Sequence, residues 1–468
     1  MKAWEIAADI FENAQPRLLT EEEELWEENL SVSDFYDSQV SLLWSSNVPG
    51  SGAPESSMVA AVQAMENRGY QATPETEQLL KDGLEAVKRH DMISLHQITA
   101  RLRCELRRMP KDVNSSYWTH RYYQSFGEYA SAVVFPQAVP VDLDSDAFRE
   151  RIHASWLSQL IGAALGTMVE GYTSEKLYSA YGEVGGFLRT PDTYNDDITY
   201  ELAFLKAFGE YGYDVTSREI ALAWIGLIPA GWSAEEIALG NIRSGLFPPA
   251  SGVKVNPFNE WIGAQMRAGV CGMAAPGDAY QAARLAWADG EVSHANNGIL
   301  GEVFNAVLTS MAFTEQDVRC LIRAAAALIP DDSEYYHVIS FALECCARYE
   351  DWHDALAACQ ERFRRYNWIH AYPNACCEVI ALWYGNGDYE KTLRIIVMCG
   401  YDVDCNAAMI LPVLAIQQGM GIIPKKLIHP NFSTITTYMR DFRELRLEEL
   451  VDDTLSSIKK ACERRNAK

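Results

Sequence analysis

From residue 145 onward, almost every apolar stretch repeats at the i, i+3, i+4 spacing of an α-helix. Several of these stretches are apolar on more than one face, which indicates helices buried inside a multi-helix core. No series of alternating, strand-like segments accompanies them. The pattern therefore predicts an all-α fold built around one large helical domain. The predicted helices cover residues 148–166, 198–212, 217–228, 279–290, 318–329, 336–349, 374–385, 389–400 and 406–419.

The N-terminal part differs in texture and is predicted to be a smaller helical region. Thr73-Pro74 combines a helix N-cap with proline at the first helical position, so a helix is expected to begin there. An acidic helix is expected from residues 19–30, and residues 45–57 (SSNVPGSGAPESS) are expected to form a loop. The stretch 135–144 reads as an extended linker. The predicted division is an N-terminal helical region at 1–140, a catalytic domain at 146–430 and a C-terminal helical extension at 431–468.

Composition argues against two classes of partner. The chain of 468 residues carries a net charge of -24, whereas nucleic acids and anionic membranes attract basic surfaces. No apolar run reaches the roughly 18 residues that span a bilayer, and the N-terminus lacks a signal-peptide core. The 11 cysteines show no paired CxxC spacing, which favours buried free thiols in a reducing compartment. We expect a soluble, cytoplasmic protein without nucleic-acid or membrane partners; the sequence leaves its oligomeric state open.

Carboxylates placed between apolar helices are the unusual feature. Asn195, Asp196 and Asp197 stand directly before one helix, and Asp402 and Asp404 stand between two others. Acidic residues at a helix start are either caps that complement the dipole or oxygen ligands for a hard cation such as Mg²⁺. Two carboxylates between buried helices must be paired or metal-bound, because unpaired buried charge is costly. Few basic residues lie nearby in sequence, which strengthens the metal interpretation.

Two further motifs accompany the aspartates. The small-residue run GAALG at 162–166 permits either close helix packing or close approach of the backbone to a ligand. Glu170 follows in a turn, where it is either a surface residue or part of a site. His294, in the segment SHANNG at 293–298, is either a structural group at a helix edge or a functional one.

In this order the motifs resemble the ADP-ribosylglycohydrolase (DraG-like) family, over about residues 148–430. The family's motifs read GDALG, PVEG, TDDT, SHxxxG and GGDTDTNAA, and its last helix ends in glycine and proline. The similar segments here are GAALG at 162–166, MVEG at 168–171, NDDI at 195–198, SHANNG at 293–298, GYDVDCNAA at 400–408 and AIQQGMGIIP at 415–424.

The resemblance implies a compact all-α domain with two Mg²⁺ ions in a cleft, with Mn²⁺ as an alternative. Ala163 replaces the aspartate of GDALG, so this position can carry no charge. Cys405 stands at a ligand position of the family, and a cysteine is a poor ligand for so hard an ion. One coordination position would therefore be filled by water or a backbone carbonyl, or one ion would bind weakly. Carried over by motif, the metal ligands are Asp196, Asp197, Asp402 and Asp404, with Asn195 and Cys405 at the positions of two threonine ligands.

The resemblance also implies roles in catalysis. Glu170 matches the glutamate that gates the cleft and contacts the ribose or a metal-bound water. Asp196 or Asp197 would position or deprotonate the attacking water, with Glu170 as an alternative base. Substrate contacts are expected from Glu170, His294, Asn297, Gly263, Gln265, Arg267, Gly400 and Tyr401. Candidates for stacking on a base or sugar are Trp261, Trp368, His370 and Tyr372.

The resemblance leaves the substrate less well defined than the reaction. Many relatives carry a glycine-rich run that cradles a pyrophosphate, and the comparable stretch 261–267 retains only Gly263. The default expectation is Mg²⁺-dependent removal of ADP-ribose from a modified protein or a small molecule. The alternatives are hydrolysis of another furanosyl glycoside or a nucleoside, a non-catalytic ADP-ribose or nucleotide-binding module, and an acidic helical scaffold whose motifs only cap helices.

Overall fold

The computed structural model describes residues 2–18, 20 and 26–466. This part of the chain is largely helical, with 22 α-helices, and its strands form only two-stranded ribbons. The prediction of an all-α fold is confirmed. None of the described helices is long and apolar enough to cross a bilayer. All 11 cysteines are free thiols, most of them buried.

Helices also dominate the N-terminal region. Thr73 caps the predicted helix, because its Oγ1 accepts the Thr76 N–H at 3.2 Å and Pro74 is the first helical residue. Within the segment predicted as a loop, strands β1 (Ser46–Asn47) and β2 (Pro54–Glu55) pair in an antiparallel hairpin. Residues 19 and 21–25 of the expected acidic helix lie outside the described residues. The helices are α1 (Ala3–Glu12), α2 (Trp26–Trp44), α3 (Ser57–Asn67), α4 (Pro74–Lys88), α5 (Met92–Leu106) and α6 (Phe126–Ala132), with a 3-10 turn at Ser116–Thr119.

Each helix predicted after residue 145 is present, with ends within about one turn of the predicted ones. Segment 248–258 contains only a short helical turn. The helices are α7 (Asp146–Gly166), α8 (Ser174–Tyr181), α9 (Asp196–Tyr211), α10 (Ser217–Leu227), α11 (Ser233–Arg243), α12 (Ala250–Val253), α13 (Gly269–Met273), α14 (Ala279–Gly290), α15 (Asn297–Met311), α16 (Val318–Ala326), α17 (Glu334–Arg348), α18 (Trp352–Phe363), α19 (Ala371–Gly385), α20 (Tyr389–Cys399), α21 (Val403–Gln418) and α22 (Leu447–Asn466).

The remaining regular structure is short. Strands β3 (Thr434–Thr436) and β4 (Glu444–Arg446) form an antiparallel ribbon before α22. The 3-10 turns are Gly212–Asp214, Gln265–Arg267, Met420–Ile422, Lys425–Leu427 and Pro430–Ser433.

Two apolar clusters form the interior. The larger one fills the space between α7, α9, α15, α19 and α21, and α22 closes it through residues such as Leu450 and Ile458. The smaller one lies in the N-terminal region around Trp44, yet it includes Phe258 and Trp261 from the larger part of the chain. The two parts therefore share a core. The division at 1–140, 146–430 and 431–468 stays a prediction.

Helices α7 and α21 approach each other unusually closely. A Cβ added at Gly162 would lie 2.5 Å from the backbone carbon of Ala407, and one at Gly166 would lie 2.0 Å from the backbone nitrogen of Asp404. Backbone atoms cannot move aside as flexible side chains do, so both positions require glycine. Of the two roles open to the GAALG motif, the structure shows close helix packing.

Replacement of Gly166 by alanine should therefore destabilise the protein. The added methyl group would overlap the backbone at the start of α21, and overpacking of this kind costs about 3 kcal/mol of unfolding free energy. Gly226, an exposed glycine in α10 with no atom near its Cβ position, is the matched control. Gly226→Ala should be neutral or stabilise by about 0.5–1 kcal/mol. Equal denaturant midpoints for the two variants would contradict the assigned helix contact.

Candidate metal and active site

The N-terminus of α9 contributes two adjacent aspartates, and Asn195 fixes their position. Asn195 is the N-cap residue: its Oδ1 accepts the Asp197 N–H at 2.8 Å. Its Nδ2 donates to Asp404 Oδ2 at 3.2 Å. Asn195 thus joins the start of α9 to the start of α21. Both polar atoms of the Asn195 side chain therefore bond to protein groups. This gives Asn195 a bridging role in addition to its predicted role as a metal ligand.

The loop before α21 is shaped by two consecutive residues with left-handed backbone angles. Gly400 has φ 74° and Tyr401 has φ 66°, and the chain reverses there between α20 and α21. The Asp402 N–H then donates to Asn374 Oδ1 at 3.1 Å, and Asn406 Nδ2 donates to the same oxygen at 2.7 Å. Asn374, on α19, therefore orients the loop that carries Asp402. It lay in a predicted helix without any motif to single it out.

Backbone pairing brings the Glu170 turn against this loop. The Gly171 N–H donates to the Tyr401 carbonyl at 2.9 Å, and the Tyr401 N–H donates to the Tyr172 carbonyl at 3.1 Å. A Cβ on Gly400 would lie 2.3 Å from the Tyr172 carbonyl oxygen, so this approach also requires glycine. The result places Glu170 beside the aspartates of α21.

Five carboxylates meet at this point, and four of them are buried: Asp197 is 0% exposed, Asp402 4%, Asp404 5% and Glu170 8%. Asp196 is solvent-exposed and marks the mouth of the cluster. We call these five residues the carboxylate cluster. One oxygen on each of Asp197, Asp402 and Asp404 has no hydrogen-bond partner. Within the described part of the chain, no lysine, arginine or histidine forms an ion pair with any of the five.

The electrostatics follow from burial and mutual repulsion. Burial, followed by the charge of Asp404, raises the pKa of Glu170, Asp197 and Asp402 well above the ordinary carboxyl value. Asp196 is surrounded by protein on several sides despite its exposure, and this enclosure together with Asp404 raises its pKa to about 6. The raised pKa values of these four groups mean that burial and mutual repulsion disfavour their charged forms.

Two neutral groups complete the site. The Cys405 thiol donates to Asp197 Oδ1 at 3.4 Å, and burial raises the pKa of this thiol well above its ordinary value. The Thr167 hydroxyl lies 3.5 Å from Asp404 Oδ2 and also donates to the Ala163 carbonyl at 2.8 Å. Asp402, Asp404 and Cys405 each offer a ligand atom within 4.8 Å of the others, the geometry of a metal-binding group.

The predicted substrate residues around Gly263 lie in a buried network next to the cluster. Arg267 is 1% exposed, and its guanidinium contacts Asp289 through Nε, Glu235 Oε1 at 2.9 Å and Ser293 Oγ at 2.9 Å. A Cβ on Gly263 would lie 2.1 Å from Glu235 Oε1. The single glycine of this stretch therefore makes room for the glutamate that holds Arg267.

Three other predicted substrate residues are also buried. His294 is 1% exposed and its Nδ1 lies 2.8 Å from Ser293 Oγ, whereas its Nε2 has no partner. Asn297 Nδ2 donates to Glu260 Oε2 at 3.3 Å. Gln265 Oε1 accepts the Tyr335 hydroxyl at 3.0 Å. The contacts of these side chains are with the protein interior.

Of the four aromatic candidates, Trp368 is half-buried and the other three are buried. Trp261, His370 and Tyr372 are each 1% exposed and packed in the core. Tyr194 and Tyr438, which the sequence analysis did not select, flank the exposed Asp196. Their ring centroids lie 5.6 Å apart, Tyr194 is 55% exposed, and the charge of Asp196 acts on the Tyr438 hydroxyl. The position of Tyr194 directly before the NDD segment could have identified it as a site residue. No feature of the sequence pointed to Tyr438.

Comparison with known proteins gives a family match for most of the chain. The family model described as ADP-ribosylglycohydrolase matches residues 144–463, a segment that includes most of α22. One solved structure, titled "ADP-ribosylglycohydrolase-related protein complex", aligns with 68% of this chain and 100% of its own, at 18% sequence identity and a TM-score of 0.46. No curated protein matches significantly.

The family model covers well over half of the chain, and the matched range contains all five residues of the carboxylate cluster. The protein therefore belongs to the ADP-ribosylglycohydrolase family, whose members are metal-dependent glycohydrolases.

Proposed function

We propose that the protein is a Mg²⁺-dependent hydrolase of a ribosyl N- or O-glycosidic bond. The observation that carries the proposal is the carboxylate cluster. Its five acidic side chains meet without a basic partner among the residues that the structure describes, and one of the five is exposed. Such an arrangement is costly unless a cation or shared protons offset the charge. The free thiols on all 11 cysteines support a reducing, cytoplasmic location.

The residues present fit a hard divalent cation. The unpartnered oxygens of Asp197, Asp402 and Asp404 are carboxylate oxygens, which Mg²⁺ and Mn²⁺ prefer. Asp196 could add an exposed oxygen. Cys405 fits least well, because sulfur is a soft ligand and its thiol already donates to Asp197. Two ions with mainly aspartate ligands remain our proposal. When bound, they would fix the vicinal ribose hydroxyls and lower the pKa of a water molecule.

The chain's own residues would perform the remaining steps. Asp196 is the only exposed member of the cluster, so it can meet an attacking water or the ribose at the mouth. Asp196, Asp197 or Glu170 accepts the water's proton as the oxygen adds to ribose C1 and the glycosidic bond breaks. The leaving group takes up a proton. Asn195 and Thr167 hold Asp404 in place through their contacts with its Oδ2.

The default substrate is an ADP-ribosyl group on a protein or a small molecule. Gly400 and Tyr401 lie beside the Glu170 turn and remain proposed substrate contacts. The substrate roles of His294, Asn297, Gly263, Gln265 and Arg267 stay predictions, because these residues are buried among other protein groups.

A smaller furanoside or a nucleoside is the second candidate, and a specific observation favours it. The guanidinium of Arg267 is enclosed by Glu235, Asp289 and Ser293, so it is not available to an incoming pyrophosphate. A non-catalytic nucleotide-binding module is the third candidate, and the complete carboxylate cluster argues against it. Rates on ADP-ribosyl-arginine, ADP-ribosyl-serine, nucleosides and simple furanosides would separate the first two.

Glu170→Gln and Asp404→Ala should each lower kcat by about 10²–10⁴-fold on the substrate that the panel identifies, because each removes a charge at the reacting centre. Steady-state kinetics at saturating Mg²⁺, and with a chelator, would measure the effect. Glu175→Gln, an exposed glutamate on α8, is the matched control and should retain the wild-type rate. Near wild-type rates for both site variants would refute the assignment.

Asp402→Asn should separate metal binding from fold stability. Without metal, removal of one negative charge from the cluster should leave the protein as stable as the wild type or more stable, by about 1 kcal/mol. Added Mg²⁺ should raise the Tm of the wild type and leave the variant unchanged, because a bound ligand stabilises only the state that binds it.

Thermal unfolding with and without millimolar Mg²⁺ would test this, with Asp82→Asn on the exposed face of α4 as the charge-matched control. That control should keep the full response to Mg²⁺. A wild type that calorimetry and unfolding both find indifferent to Mg²⁺ would favour the binding-module alternative.

A further inference from the structure

The hairpin formed by β1 and β2 lies outside the segment that matches the family model, yet it contacts the site. We call residues 46–55 the rim hairpin. Its tip is built from left-handed glycines, with φ 99° at Gly50 and φ 75° at Gly52. Sequence composition identified this segment only as a loop.

The tip packs directly on the turn that carries Glu170. A Cβ on Gly50 would lie 2.6 Å from the Thr167 carbonyl oxygen, and one on Gly171 would lie 2.6 Å from Ala53 Cβ. The Tyr172 hydroxyl donates to the Ser51 carbonyl at 3.3 Å. Both ends of the turn, Thr167 and Gly171-Tyr172, therefore contact the hairpin, and Glu170 lies between them.

The same hairpin contacts two other segments around the cluster. Arg189 Nη1 donates to the Gly50 carbonyl at 3.0 Å, and Arg189 belongs to the loop that leads into α9 and its aspartates. Trp232 Nε1 donates to Glu55 Oε1 at 3.0 Å, and Trp232 precedes the helix that carries Glu235. The rim hairpin thus contacts three segments of the larger domain that are distant from one another in sequence.

The hairpin itself is held firmly. Ala53 is fully buried and Val48 is 8% exposed, and the Val48 N–H donates to the Ala53 carbonyl at 2.8 Å. The N-terminal region behind it is fastened to the larger domain by the Tyr117 hydroxyl, which donates to Glu260 Oε1 at 2.7 Å in a buried contact. Because the rim hairpin is anchored in this way, it can fix the position of residues 167–172, which form no helix or strand of their own.

We propose that the rim hairpin is a positioning element for Glu170, so that the N-terminal region is an integral part of the active site. The inference rests on the proposed function in that Glu170 acts in catalysis. The hairpin itself touches no reacting atom. It sets the turn of residues 167–172 against the Gly400–Asp402 loop and limits the space beside Glu170.

The test shortens the hairpin while keeping its base. Replacement of residues 49–52 by Asn-Gly removes the carbonyls that accept from Arg189 and Tyr172, and it removes the contact with Thr167. The expected result is a fall in kcat of about 10- to 100-fold, because misplacement by about 1 Å is sufficient for that loss. KM should change much less, and the Mg²⁺-dependent rise in Tm should persist.

A single substitution guards against failure of the shortened protein to fold. Tyr172→Phe removes only the hydroxyl that donates to Ser51, and it should lower kcat about threefold with an unchanged Tm. Tyr181→Phe, an exposed tyrosine on α8, is the matched control and should keep the wild-type kcat. Equal kcat values for wild type, the shortened hairpin and Tyr172→Phe would overturn the proposal.

Hydrogen exchange provides a readout independent of activity. The Gly171 N–H is bonded to the Tyr401 carbonyl, so amides of residues 167–172 should exchange faster in the shortened variant than in the wild type. Unchanged exchange there would overturn the positioning role even if kcat falls. A wild type that hydrolyses no ribosyl substrate would refute the proposed function alone, and exchange would still decide whether the hairpin holds the turn.

Discussion

The contact between α7 and α21 is the constraint on which the site depends. At Gly166 the two backbones approach so closely that a methyl group has no space, and this approach sets the start of α21 against the end of α7. Because Glu170 follows α7 within one turn and Asp402 precedes α21, the same contact brings their carboxylates together. The backbone hydrogen bonds that join Gly171 and Tyr172 to Tyr401 then fix the distance between the Glu170 turn and the loop before α21. Helix packing thus determines the position of the acidic groups.

Bringing these groups together has an energetic consequence. Buried carboxylates with unpartnered oxygens destabilise a fold, and here burial together with the neighbouring charges raises the pKa of Glu170, Asp197 and Asp402. The interior that compensates for this cost is extensive, since α7 and α21 are buried along most of their lengths. A fold with a large apolar core can retain a group of buried carboxylates that is unfavourable by itself. A cation that binds these carboxylates would recover part of that cost.

Much of the fold and the cluster could be predicted, because both depend on spacing along the chain. Helical periodicity located the helices, and the ordered motifs located the aspartates and Glu170. What spacing cannot indicate is which distant side chain a residue meets. Asn195 was predicted as a ligand, and its bridge to Asp404 depends on a residue 209 positions away. Arg267 was predicted as a substrate contact, and its enclosure by Glu235 and Asp289 depends on the packing of α11 and α14.

The rim hairpin is the clearest case of a role that sequence could not indicate. Its glycines and prolines mark only a turn, and its effect comes from where the N-terminal region docks. That docking buries Phe258 and Trp261 of the larger domain in the smaller apolar core around Trp44. A fragment limited to the family-matched segment would expose these two aromatic side chains and lose the support beside Thr167. The N-terminal region and the glycohydrolase domain are therefore best regarded as one structural unit. The family fold supplies the carboxylates, and the N-terminal region positions the turn that carries Glu170.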